Sequence, residues 1–351
     1  MHDCLFSCTP FSHQSQPHTQ SVFMSVRPAT HAGSWYSANN ASLASQMDRF
    51  ISKAQNTLKK SHGGPHVPGA RVLIGPHAGY TYSGTQLAET YEAWDTTGVK
   101  RVFILGPSHH SYFSSTAKVS KFDSYQTPFG NLDVDTKVCS DLVDKAGFSY
   151  MTEEEDEDEH SFEMHAPFIR YKTQDLPHGS PKIVPIMISA MNEHLCNKIV
   201  HALEPYFADK SNTFAVSSDF CHWGARFGYT KYLQKIPDSE GITSQSLVSL
   251  RSSSQLVLSI PIHRSIEILD KEAMKIASKG THTDWNRYID QTQNTICGQK
   301  PISVVLRLLD NSGTHPGFSW IGYSQSGEVT SPTESSVSYA SGYVALPITT
   351  K

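Results

Sequence analysis

The sequence predicts an α/β fold whose sheet is buried between helices, and three observations predict it. Short apolar runs at 72–74, 102–105 and 214–216 are bounded by Gly, Pro or Ser and read as strands covered on both faces. The first two are separated by about thirty residues that hold a helical stretch, the length of a crossover between parallel strands. Strand-like and helix-like segments then keep alternating, with another apolar run at 183–188, which favours one mixed layer structure over separate helical and sheet parts.

Each element has its own signal. The first 26 residues contain no Lys or Arg. They lack the charged start and apolar core of a secretory signal and the Arg-rich pattern of a transit peptide. Residues 1–23 therefore read as a disordered extension, or as leader upstream of a start at Met24. His31-Ala32-Gly33-Ser34-Trp35-Tyr36 forms an aromatic turn. Leu43, Met47, Phe50, Ile51 and Ala54 recur at helical spacing, with Ser37 or Asn39 as cap and Lys59-Lys60 near the end. A loop at 61–69 and a helix at 85–94 follow. Later helices are expected at 193–203, 264–278, 285–295 and 302–310, the last with Pro301 at its start and Gly313 past its end. Residues 336–346 alternate and return as a terminal strand, while the Ser- and Leu-rich stretch at 237–261 reads as a loop insertion.

Composition narrows the function. A chain of 351 residues with 38% hydrophobic content can bury a sizeable core. The formal charge of −4, with no basic block interleaved with aromatics, sets nucleic-acid binding aside. No apolar run approaches the eighteen or so residues of a membrane span. Six cysteines spread along the chain (4, 8, 139, 196, 221 and 297) make no small-domain disulfide framework, so reduced, intracellular thiols are expected.

The apolar runs stop at side chains that handle metals or protons: His77, His109 with His110, and Asp219 with His222. Ligands of open α/β sheets bind beyond the strand ends. His77 and His109 offer two imidazole nitrogens at one sheet edge, and Cys297 lies in the loop entering a helix, where the dipole favours thiolate. Two imidazoles and a thiolate suit zinc, iron or copper and leave a position open for substrate, water or oxygen. For Asp219 and His222 two readings stand. Either the aspartate orients the histidine as a general acid or base, or it caps a turn while the histidine packs on Trp223. The seven acidic residues at 153–159 read as a solvated loop. Glu163 and His165 just after them do not match the zincin spacing and either approach the site or stay apart from it. Trp35 and Tyr82 wall a pocket or pack at the core edge.

Taken together, the segments at 31–36, 75–82 (Gly-Pro-His-Ala-Gly-Tyr-Thr-Tyr), 103–110, 156–165, 217–224, 294–298 (Asn-Thr-Ile-Cys-Gly) and 335–342 resemble the Memo family, named for a mediator of receptor-driven cell motility. The resemblance implies a single α/β domain over 24–351 with a central mixed, mainly parallel sheet, similar to the class III extradiol dioxygenases that use non-haem iron. It implies His77, His109 and Cys297 as metal ligands, and Asp219 and His222 as neighbouring catalytic groups, His222 standing where those dioxygenases keep a base. The pocket around them is expected to take in Trp35, Tyr82, His110, Glu163 and His165. A cysteine where the dioxygenases have a carboxylate softens the site, which favours copper or a redox role over ring cleavage. Copper or iron is the expected metal, with zinc as the alternative. The resemblance also implies a second kind of role, a binding module for phosphotyrosine-bearing or other peptides in cytoskeletal signalling. A cytoplasmic, also nuclear, monomer without a membrane span is expected.

Overall fold

The computed structural model describes residues 24–237, 241–251, 259–279, 281–313 and 317–347, so the extension expected at 1–23 lies outside the described residues. Four parallel strands form the centre of the main sheet, side by side in the order Ala70–Gly75, Asn212–Ser217, Arg101–Pro107, Lys182–Ile188. Nearly every residue in them is buried, as continuous apolar runs require. Antiparallel strands extend the sheet on both sides. Ser336–Ala345 pairs with Ala70–Gly75 and Ser319–Gln325, and Lys118–Val119 pairs with Lys182–Ile188. The sheet is thus mixed, with a parallel centre. The strands at 70–75 and 101–107 are parallel, as the crossover length demands, with Asn212–Ser217 seated between them. Their carboxyl ends open on one edge, which carries His77, His109 and Asp219 there together.

The helices follow their signals closely. Asn40–Ser61 begins where the Asn39 side chain accepts the Ser42 N–H at 2.9 Å, ends over Lys59 and Lys60, and buries Leu43, Met47, Ala54 and Leu58 on one stripe. The helix expected at 85–94 starts earlier, as Tyr80–Ala93, and the Trp35 carbonyl takes the otherwise orphaned Tyr80 N–H at 3.0 Å. Glu193–Ala208 and Gln299–Ser312 pack on each other and against the parallel strands, and the latter closes on Gly313 at φ 68°.

Two expectations need correcting. The acidic run at 153–159 is not a solvated loop. It forms the helix Glu153–Asp158, started by a capping box between Thr152 and Glu155, followed by the buried Glu159. Asp156 is wholly buried, held by Arg27 Nε at 3.2 Å and by the Tyr125 hydroxyl. Arg27 also donates to Glu163 at 2.7 Å and to the carbonyls of Asp156, Glu157 and Glu159. A buried guanidinium needs acceptors around its whole fork, and the acidic run supplies them. The stretch at 237–261 is not a plain loop where it is described. Leu247–Ser249 pairs antiparallel with Lys231–Leu233, and Ile242, Leu250 and Ile260 join Cys221 and Trp223 in a second apolar cluster; 238–240 and 252–258 lie outside the described residues. Among the described residues no helix is long and apolar enough to cross a membrane, and the four cysteines are free thiols.

Candidate metal centre

Gly75-Pro76, Pro107-Ser108 and Ser217-Ser218 end three parallel strands and turn His77, His109 and Asp219 over the sheet edge. Cys297 arrives from the loop before Gln299–Ser312, whose cap is Gly298. A Cβ on Gly298 would stand 2.3 Å from the Ser218 Cβ and 2.8 Å from the Ser217 carbonyl oxygen, so glycine is what lets this helix start press onto the strand end. The ligand atoms of His77, His109 and Cys297 lie within 4.8 Å of one another, with Cys297 Sγ 3.1 Å from His77 Nε2.

The hydrogen bonds behind the rings fix their tautomers. The Ser217 hydroxyl gives its proton to the Ser161 carbonyl at 2.7 Å, so it accepts from His77 Nδ1–H, also at 2.7 Å. Glu159 accepts from His109 Nδ1–H at 2.8 Å and from the His109 and Ser161 amides. Burial alone would raise the Glu159 carboxyl, but the His109 bond and neighbouring imidazoles hold it down at about 2. Both histidines therefore present a bare Nε2 lone pair toward Cys297, as metal-binding imidazoles do.

Cys297 departs from expectation. The Asp219 N–H donates to its sulfur at 3.1 Å, but burial first, and the Asp219 charge second, push the thiol well above its usual range. The helix dipole does not outweigh them, so a thiolate here calls for a cation against the sulfur. Burial and the facing His109 and His160 likewise drive His77 well below the imidazole range, leaving it neutral and ready to donate its lone pair.

Asp219 and His222 also share this edge, in an arrangement neither earlier reading described. The Asp219 carboxylate accepts the His77 amide at 2.9 Å and so braces the loop carrying His77, while its own pKa is raised by burial. His222 takes its tautomer from two carbonyls, those of Phe220 at 3.0 Å and Thr295 at 3.1 Å, which leave its Nε2 bare. Its ring sits edge-on to Phe227, not on Trp223.

A family model described as Memo-like protein matches residues 27–343. The chain belongs to the Memo family. It is 42% identical over 351 residues to MEMO1 family protein MHO1 of Saccharomyces cerevisiae, covering 92% of this chain and 100% of that one. Protein MEMO1 of Xenopus tropicalis is 40% identical and Protein MEMO1 of Homo sapiens 38% identical, each over 323 residues, covering 91% of this chain and 97% of the relative.

Among the Memo-type segments, the expected pocket residues divide. Trp35, 36% exposed, lies on His160 with ring centres 4.5 Å apart, and the exposed His110 is 6.3 Å from the same ring. Tyr82 is 60% exposed in the first turn of its helix. Glu163 and His165 do not line the cluster. Glu163 accepts from Arg27, Tyr36 and both the amide and Nδ1 of His31; burial would raise its carboxyl, and these partners hold it at about 2. It anchors the 25–36 segment and so places His31 and Trp35. His165 is fully buried against the Tyr91 hydroxyl at 2.8 Å.

Sequence reasoning missed Glu159 and His160. His160 stacks on His109 at 4.3 Å and faces His77 at 5.3 Å, and burial together with the adjacent His109 lowers it to about 3. The available signal was their place inside the 156–165 segment, overshadowed by the acidic run. A cavity of about 800 Å³ lies at the opposite sheet edge, by Arg71, Phe207, Asn212 and Leu308, remote from this chemistry. Converging lone pairs, not cavity size, single out the His77 edge.

Proposed function

We propose that the chain holds one redox-active metal ion, copper or iron, at His77, His109 and Cys297, and works in oxygen chemistry or metal handling. The observation that carries this reading is the convergence of two bare imidazole nitrogens and a sulfur within 4.8 Å. The donor set fits: nitrogen and sulfur ligands suit copper, iron and zinc, and three of them leave a coordination position open. Bound there, copper or iron would supply one-electron exchange with oxygen or a small reductant; zinc would not. The residues' own work is then defined. Ser217 and Glu159 hold the two ligand rings in their Nδ1–H tautomers, and Asp219 braces the His77 backbone. His222, with a bare Nε2 and a partly exposed ring, is the group able to take or give a proton to a molecule entering from the rim. His160 stacks on the His109 ring, and Trp35 lies against His160 at the exposed rim of the site.

A peptide-binding role draws support from the exposed Trp35 and Tyr82 at this face. A phosphotyrosine would want a cation, and Arg27, in the wall behind, is fully buried and committed to Asp156 and Glu163. The redox reading is therefore preferred. Elemental analysis of untagged protein, purified without added metal, tests it beside His77→Ala and Cys297→Ser. About one equivalent of copper or iron in the parent, absent from both variants, is expected. A parent that is metal-free and takes up neither ion on anaerobic titration would leave the face as a binding surface.

A further inference from the structure

Asn294, in the segment that carries Cys297, and Asp270, on the helix Ile262–Lys279, have no part in the chemistry above, yet they meet beneath it. Asp270 is completely buried. Its Oδ1 accepts two bonds: the backbone N–H of Cys221 at 3.2 Å and the side-chain amide of Asn294 at 3.2 Å. Its Oδ2 accepts the Tyr323 hydroxyl at 2.9 Å. Cys221 immediately precedes His222, and Asn294 lies three residues before Cys297. A single carboxylate oxygen thus ties the loop bearing His222 to the loop bearing Cys297. Just above this anchor the loops are zipped directly. The Thr295 hydroxyl accepts from the His222 amide at 2.9 Å and donates to the His222 carbonyl at 2.8 Å.

Asp270 makes no ion pair among the described residues, so the cost of burying its carboxyl group is offset by hydrogen bonds alone: the Cys221 and Asn294 nitrogens and the Tyr323 and Ser338 hydroxyls. What those bonds achieve is a fixed register between two segments about seventy residues apart in sequence. We propose that Asp270 is the positioning residue for the His222–Cys297 half of the site, setting where the Cys297 sulfur stands relative to the two imidazoles. The proposal rests on the metal reading above. It names a residue that touches neither metal nor substrate and acts through Asn294 and Cys221, as outer partners of metal ligands do.

The test is anaerobic titration of the full chain with Co(II), whose thiolate charge-transfer absorption reports the Cys297 sulfur. Asp270→Ala is expected to weaken cobalt binding by about 10- to 100-fold and to shift or lose that band. Asp270→Asn keeps an oxygen for the same two donors and is expected to restore affinity to within about threefold of the parent. Asn294→Ala, which removes one of the two bonds and keeps the carboxylate, is expected to fall between. Trp94→Phe, which loses the core bond to Thr213, controls for lowered stability and is expected to leave affinity and band unchanged. If Asp270→Ala does not fold, Asn294→Ala and Asp270→Asn decide. Parent-like affinity and band in Asp270→Ala or Asn294→Ala, or no rescue by Asp270→Asn, overturns the proposal. A parent that binds no cobalt and carries no native metal removes the metal reading, and this inference falls with it.

Discussion

A histidine's role in this chain is decided by what stands behind its ring. His77, His109 and His222 each spend Nδ1–H on an oxygen and keep Nε2 unprotonated, that of His77 facing the Cys297 sulfur at 3.1 Å. His165 sits in the same quoted segment as His160 but is sealed in the core. Burial lowers His165 to about 3, and burial with the neighbouring His109 does the same for His160. Both are then neutral in the folded protein and protonated in the unfolded chain below about pH 6.5. Between these values the unfolded state binds more protons, so the stability these two rings contribute is complete above about pH 6.5 and falls as pH drops toward 3. Each such histidine contributes a slope of about 1.4 kcal/mol per pH unit over that range. Urea denaturation at pH 7.5 and 5.5 checks this. The buried Asp270 carboxyl, raised to about 6, opposes this change, but two histidines outweigh one carboxyl, so the midpoint is expected to fall at the lower pH; equal midpoints would contradict neutral burial of both rings. The Glu159 and Glu163 carboxylates, held at about 2, add to the loss only below about pH 4.5.

At the scale of elements, the site depends on how closely a helix start can approach a strand end. Strands, helices and their order were legible because apolar runs, caps and the Pro301–Gly313 bracket are local signals. The close contact between Gly298 and Ser218 was not, since nothing in Ile-Cys-Gly says which strand end lies opposite. Gly298→Ala tests it. The added Cβ would press on the Ser218 side chain and the Ser217 carbonyl, and the backbone partner cannot rotate away. The expected outcome is a loss of about 1–3 kcal/mol in denaturant stability and at least a tenfold loss of metal affinity by competition with a chelator. Unchanged affinity would show that Cys297 tolerates a shift of its helix. The acidic run teaches the converse lesson. Its local composition reads as a solvated loop, and only the buried Arg27, more than a hundred residues upstream, turns part of it into core.

Across the whole molecule, the proposed ligands are drawn from segments up to 220 residues apart, and the loop at 219–223 bridges the two apolar clusters through Phe220 on one side and Trp223 on the other. An ion bound only by the folded chain would therefore stabilise it globally. Free metal at about 100 times its dissociation constant is expected to add about 2.7 kcal/mol, read as a higher thermal midpoint, and Cys297→Ser is expected to abolish the gain. A parent midpoint indifferent to copper and iron would argue against a site preformed in the native state. The sequence by itself determined the α/β class, the parallel centre and the identity of the residues on the strand ends, because periodicity and strand-end position are written in neighbouring residues. Only the tertiary structure decided that Glu159 and Ser217 set the tautomers of His109 and His77, that Glu163 anchors the entry segment and not the pocket, and that the Cys297 thiol is raised. Those outcomes depend on burial and on partners distant in sequence, which no local pattern encodes.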